Sequence, residues 1–234
     1  FNSRWGFILA CIGSAVGMGN IWMFPTRVSL YGGGAFLIPY FIFVILIGFT
    51  GVISEMSFGR ATRSGPIDAF GIACESRGHR KAGEALGWIP VLGALAMAIG
   101  YTVVMGWILK YTIGTFTGAV LAPADIDGFA GAFGSMASSF GNNFWQTAAL
   151  VICMIILMFG VGSGIEKANK IMMPVFFVLF IILGIYVAFQ PGAVDGYHYI
   201  FRVDPKALSD PVTWIFALGQ AFFSLSVAGN GTLI

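Results

Sequence analysis

Charge is distributed along this chain in a way that few folds tolerate. Residues 5–26, 28–54, 85–109, 128–165, 171–194 and 211–234 contain no Asp, Glu, Lys or Arg. Five of these six stretches have the length of one membrane-crossing helix, because the hydrocarbon core of a bilayer takes about 20 apolar residues. The sixth, 128–165, opens on the Gly/Ser/Asn-rich tract GAFGSMASSFGNN, and only its part from about Phe144 reads as a span. A soluble protein with several buried helices is the alternative, but core helices are rarely so long and apolar. Composition agrees: 58% of residues are hydrophobic and 9% charged, against about 45–50% and roughly 25% in soluble domains. A soluble enzyme, a disordered chain and a nucleic-acid binder are thereby excluded. The net charge of +2 identifies no partner.

The expected map is one transmembrane domain over 1–234, with spans at about 5–27, 34–59, 84–116, 144–161, 168–190 and 213–234. Span 3 is long enough to tilt or project from the bilayer. A cytoplasmic segment at 60–83 has room for a surface helix. Outer loops run to about 143 and over 191–212, and a short inner loop, VGSGIEK, joins spans 4 and 5. The first apolar stretch lacks a small-residue cleavage site and five spans follow, so it is not a signal peptide. The chain opens at Phe1 and ends at Ile234 inside an apolar run, and is expected to be the N-terminal portion of a longer protein.

Lys and Arg in loops set orientation. With the N-terminus inside, Arg4, Arg60, Arg63, Arg77, Arg80, Lys81, Lys167 and Lys170 are cytoplasmic, and Arg27, Arg202 and Lys206 are outside. Eight against three favours that orientation. Cys11, Cys74 and Cys153 are not placed for an extracellular disulfide.

Two spans read as broken. Span 1 carries Gly13-Ser-Ala-Val-Gly17-Met-Gly19-Asn20, and each glycine weakens a helix by about 1 kcal/mol relative to Ala. Span 6 carries Ala228-Gly-Asn-Gly-Thr232. For span 1 the alternative is a packing face built on Gly13 and Gly17. Paired interruptions at similar depth instead point to a transporter site. Carbonyls freed there, with the Asn20 amide and the Ser224 hydroxyl and carbonyl, suit a monovalent cation, because a Ca²⁺ or Mg²⁺ site would bring carboxylates. Exposed N–H groups suit a substrate carboxylate.

The runs Gly13-Ser-Ala-Val-Gly-Met-Gly-Asn-Ile-Trp-Met-Phe-Pro25, Gly32-Gly-Gly-Ala-Phe-Leu-Ile-Pro-Tyr40 and Gly219-Gln-Ala-Phe-Phe-Ser-Leu-Ser226 closely resemble the neurotransmitter:sodium symporter family, bacterial amino-acid branch. The resemblance implies an all-α integral membrane protein of the LeuT-type inverted-repeat fold, here the first five-span repeat and part of the sixth span. It implies Na⁺ at a first site with Ala15, Asn20 and Ser224, and at a second with Gly13 and Val16. The ligands completing these sites would lie in the seventh and eighth spans. The substrate would meet Ser14, Ala15, Met18, Gly19, Met97, Tyr101, Phe223, Ser224, Ser226 and Gly229, with Phe223 as an aromatic lid. Tyr101 taken alone is more often an ordinary buried tyrosine, and only the motif context reverses that.

Tyr40, Gln220 and Ser224 match a Cl⁻ site of chloride-dependent relatives, and the deciding residue is in the seventh span. Glu55 resembles a brace of the sixth-span break; a carboxylate that snorkels to the cytoplasmic surface is the other reading. Gly164 and Pro174 resemble a motif whose unwinding hydrates the inner sodium site. Met23 departs from the family, standing where many relatives carry the Arg of an outer gate. Gly17 stands where monoamine transporters carry Asp, which favours a substrate bringing its own carboxylate.

The expected function is sodium-coupled import of a neutral, large aliphatic or aromatic amino acid by alternating access. The partners are the amino acid, sodium and the lipid bilayer, and no nucleic acid. The alternative is a non-transporting amino-acid sensor of the same fold. No nucleophile–base or His/Asp/Glu cluster supports an enzyme. The short second outer loop, without cysteines or sequons, favours the inner (plasma) membrane of a bacterium, with multiple passes.

Overall fold

A computed structural model describes residues 3–123 and 125–227, and its regular elements among them are helices, with one isolated antiparallel bridge between Gly33 and Val203. Helix α1 (Arg4–Ala15) starts at Ser3, whose hydroxyl accepts from the Gly6 N–H, and stops at Val16, where the backbone turns extended. Helix α2 (Gly19–Leu30) opens on a wide π turn over Gly19–Met23 and bends 55° away from α1. There follow α3 (Gly34–Thr62), α4 (Pro66–Glu75), α5 (Arg80–Thr117), α6 (Ile126–Ala137), α7 (Asn143–Met158), α8 (Val161–Ala188), α9 (Ala193–Phe201), α10 (Pro205–Ser209) and α11 (Pro211–Ser224).

Helices α3, α5 and α8 are long and apolar enough to cross a membrane, and the bent pair α1–α2 passes as a fourth. Helix α7 is apolar but has 16 residues. At about 1.5 Å per residue, the 38 residues of α5 exceed a hydrocarbon core. Few side chains are buried, and Ile171, Met172, Val175, Val178, Leu179, Ile181 and Ile182 of α8 all stand exposed. A water-soluble monomer does not present such a surface; a chain whose solvent is lipid does, provided its backbone bonds are made internally, as helices make them.

The chain forms two compact units, Phe1–Val91 with Glu166–Ile234, and Leu92–Ile165. In the first, α3 packs along α11 around Val28, Phe36 and Ala217. Rings tie the same region together, with Tyr31 stacked on Phe216 at 4.5 Å and Phe24 tilted on Tyr40 at 4.9 Å. Helix α1 lies on Glu166–Ala188 of α8, where Gly6 leaves room for the buried Glu166 carboxylate. That carboxylate accepts from Ser3 Oγ at 3.0 Å and pairs with Lys170 Nζ at 2.7 Å. In the second unit, Asn142 Nδ2 donates to the Val103 carbonyl at 2.7 Å and Gln146 Nε2 to Thr102 Oγ1 at 3.1 Å. Gly106 permits this approach, since a Cβ there would lie 2.7 Å from the Gln146 nitrogen.

Several segments expected as loops are helical. The glycine-rich tract carries α6, started by Asp125 Oδ1 accepting from the Gly128 N–H at 2.7 Å. The 191–212 loop carries α9 and α10, and Pro205 and Pro211 begin α10 and α11 behind the caps Asp204 and Asp210. Proline suits a first helical turn, where its missing N–H has no partner to lose. VGSGIEK is not a loop: Gly160, at φ +74°, makes the turn, and Val161–Ile165 is a π turn that opens α8. Span 5 therefore starts at 161 rather than 168, and α7 ends at Met158 rather than 161. The 60–83 segment does hold a helix, α4, tied to the start of α5 by Arg80, which pairs with Glu84 at 2.9 Å and Glu75 at 3.1 Å.

Candidate ion and substrate site

The break in span 1 follows from its glycines. Helix α1 ends at Ala15, and the Val16 N–H closes the last turn on the Ile12 carbonyl at 2.8 Å. A helix end leaves its final carbonyls to outside partners. The Ala15 carbonyl finds one five residues on, accepting from Asn20 Nδ2 at 2.8 Å. The last turn of α1 thus presents partial negative charge, and the first turn of α2 partial positive charge, at one point in the chain.

The end of α11 arrives at the same place. Its last residue, Ser224, donates from Oγ to Asn20 Oδ1 at 2.6 Å. Gln220, one turn earlier and fully buried, directs Nε2 at Ser224 Oγ (3.3 Å), the Gly19 carbonyl (3.4 Å) and Asn20 Oδ1 (3.5 Å). Its Oε1 accepts from Arg27 Nη1 at 3.0 Å. Beyond Ser224 the chain turns, with Ser226 at φ +53°, a left-handed conformation that residues other than glycine seldom adopt. The Phe223 ring packs on Gly19, where a Cβ would lie 2.8 Å from Cζ and nearer still to two other ring atoms.

Ala15, Gly19, Asn20, Gln220, Phe223 and Ser224 are therefore brought together. The Ala15 carbonyl, Asn20 Oδ1 and Ser224 hydroxyl are hard neutral oxygens, a donor set that fits a monovalent cation better than a divalent one. Of the second-site pair, Val16 is the extended residue of the break, and Gly13 faces Asn169 and Met173 of α8. Met18 is half-buried within the break and Ser14 is exposed. Tyr40 belongs to the ring stack with Phe24 and Phe36. Glu55 lies one turn beyond Gly51, which faces the Val227 side chain after the end of α11. Met97 and Tyr101 stand four residues apart on α5, hence on one face of it, in the Leu92–Ile165 unit. Gly164 is buried in the π turn opening α8 against the Ile156 carbonyl, and Pro174 sits within α8, which continues as helix to Ala188. Gly229 and the expected 228–232 interruption lie outside the described residues, although α11 already ends at Ser224.

Arg27 is the residue that sequence reasoning left out of the site, having counted it only as an outer charge. Its guanidinium also lies over the Phe216 ring, 5.4 Å from the centroid. The available signal was spacing: Arg27 follows Asn20 by seven residues, two helical turns.

Comparison with known proteins bears on the whole chain. Residues 1–124 and 131–234 match the family described as the sodium:neurotransmitter symporter family. A sodium-dependent transporter of Bacillus subtilis is 34% identical over 96% of this chain and 49% of its own length. One from Methanocaldococcus jannaschii is 35% identical over 100% of this chain and 48% of its own. The mouse sodium-dependent neutral amino acid transporter B(0)AT3 is 30% identical over 99% of this chain and 41% of its own. The chain spans about half the length of the microbial relatives it matches, and less of the mouse one. It belongs to the sodium:neurotransmitter symporter family, and its helices are those of that family's LeuT-type membrane fold.

Proposed function

We propose that the whole protein is a sodium-coupled symporter that imports a neutral amino acid, and that this chain is its N-terminal portion, supplying the broken first span and the start of the sixth. The observation that carries the reading is the meeting of the Ala15 carbonyl, Asn20 and Ser224 where two helices end. Sodium takes the oxygens of Ala15, Asn20 and Ser224 as ligands through the lone pairs that their hydrogen bonds to one another leave free. A second sodium binds with the carbonyls of Gly13 and Val16, at the turn where α1 leaves α8. The substrate carboxylate meets the N–H groups around Gly19 and the Tyr101 hydroxyl, beside Ser14 and Ser226. Its side chain lies among Met18, Met97, Phe223 and Gly229, with Phe223 closing over it.

Because the oxygens are neutral, the substrate carboxylate supplies the charge that the first sodium lacks. Each ligand then raises the other's affinity by the same factor. Alternating access follows when spans 1 and 6 move as a pair, with Glu55 bracing the span-6 break and the Gly164–Pro174 segment opening the inner side. Gln220 and Ser224 direct their donors at Gly19 and Asn20, so a chloride held with Tyr40 needs both side chains to turn. The protein sits in the plasma membrane with its N-terminus inside.

Asn20→Ala tests the reading. It removes a sodium ligand, the donor to Ala15 and the acceptor of Ser224, so sodium and substrate binding fall together. Unchanged sodium-dependent substrate binding in the purified variant rejects the first site.

A further inference from the structure

We infer that Arg27 is a positioning residue for the sodium-ligand oxygens: it fixes the direction of a hydrogen-bond chain running from Arg27 through Gln220 and Ser224 to Asn20 and the Ala15 carbonyl. The inference rests on the sodium reading of Ala15, Asn20 and Ser224, and adds a residue that touches neither ion nor substrate.

A side-chain amide has a donor end and an acceptor end, and its neighbours decide which way it faces. Gln220 is fully buried, so both ends must find partners inside the protein. A guanidinium is all donors. Arg27 Nη1, 3.0 Å away, therefore holds Gln220 Oε1 toward itself and turns Nε2 to the other side. There Nε2 reaches Ser224 Oγ at 3.3 Å, with the Gly19 carbonyl and Asn20 Oδ1 slightly farther. Ser224, accepting from Gln220, points its own hydrogen at Asn20 Oδ1, 2.6 Å away. Asn20 is thereby held with its oxygen toward Ser224 and its Nδ2 on the Ala15 carbonyl. Every link faces one way: turning Gln220 would set its amide N–H groups against the guanidinium, and turning Asn20 would set its Oδ1 against the Ala15 carbonyl.

The two helices are built for this contact. Phe216, Gln220 and Ser224 repeat every four residues along one face of α11. Asn20 and Arg27 stand seven apart on the facing segment, and the Phe216 ring beneath the guanidinium keeps Arg27 in place. The consequence for function is the sign of the effect. A cation near a sodium site repels sodium, so a role through charge alone predicts tighter sodium binding once Arg27 is neutralised. Positioning predicts weaker binding, because a freed Gln220 lets Asn20 present its NH₂ group, which is no ligand, to the ion.

The test is sodium binding to purified whole transporter, measured with ²²Na⁺ by scintillation proximity, on wild type, Arg27→Met, Arg27→Lys, Gln220→Met and the Arg27→Met/Gln220→Met double variant. Arg27→Met should weaken sodium about 3- to 10-fold, the size of one net hydrogen bond. Arg27→Lys, which keeps a donor, should recover much of it. Gln220→Met should match Arg27→Met, and the double variant should be no weaker than either single one. Unchanged or tighter sodium binding in Arg27→Met, or additive losses in the double variant, overturns the inference. If Arg27→Met does not yield folded protein, an unchanged sodium affinity in Gln220→Met overturns it equally. Asn20→Ala in the same assay separates the two levels: if it leaves sodium binding intact, the sodium site itself is misassigned and the Arg27 role falls with it.

Discussion

Gly19→Ala adds one methyl group where the span-1 break meets span 6. Gly19 is buried at the start of the π turn, and the added carbon would fall on the Phe223 ring, 2.8 Å from Cζ and closer to its neighbours. Contacts that short do not persist, so the ring or the break must shift. Forcing a methylene into a packed site costs about 1–3 kcal/mol, which is roughly 5- to 150-fold in an equilibrium constant. If Phe223 closes over the substrate, that loss appears in substrate affinity, measured by equilibrium binding of labelled amino acid to the purified whole protein in saturating sodium. The ring is the specific cause, so shrinking it should remove the effect: Gly19→Ala added to Phe223→Ala should cost far less than Gly19→Ala alone, a non-additivity expected of residues in contact. An equal cost of the methyl group with and without the ring would refute this reasoning, and so would wild-type affinity in Gly19→Ala.

Other consequences are open to equally direct checks. Tyr101→Phe should lower substrate affinity about 10- to 100-fold, the worth of a hydrogen bond to a charged group, while yielding normal amounts of folded protein; wild-type affinity would remove Tyr101 from the site. Glu166→Ala should destabilise the protein by about 1–3 kcal/mol, since it strands Ser3 and loosens α1 on α8, and Gly6→Ala should do likewise by driving a methyl group into that carboxylate. Unshifted thermal unfolding in both would contradict the α1–α8 packing. In competition among the twenty amino acids, leucine, tyrosine or tryptophan should displace label better than glycine, glutamate or lysine. The flexible Met18 and Met97 adapt to apolar shapes, and a charged side chain lacking a partner there would be desolvated without compensation. Preferred binding of glycine or glutamate would contradict it.

The membrane class was legible because lipid imposes a length and a polarity on every span, and both can be read from charge-free runs. The first break was legible for a similar reason: glycines at 13, 17 and 19 weaken one helix at one depth, and α1 indeed stops at Ala15. The second break was expected at 228–232, which lies outside the described residues; Ser224, already read as an oxygen ligand, is where α11 ends and its hydroxyl meets Asn20. The loop helices were missed because glycine and proline were read only as breakers. In α6 the spacing of Phe129, Phe133 and Met136 already carried a helical period, and in α10 and α11 each proline follows an aspartate cap. Arg27 was missed because its partner, Gln220, lies 193 residues away, and no local pattern reports a contact between distant helices.

Sodium coupling is the central claim, and uptake by the whole protein in sealed proteoliposomes tests it most directly. With sodium outside and potassium inside, labelled leucine should accumulate above its external concentration, and a sodium ionophore or replacement of sodium by choline should abolish the accumulation. Uptake that is indifferent to sodium, or sodium-dependent binding with no uptake at all, would contradict the account.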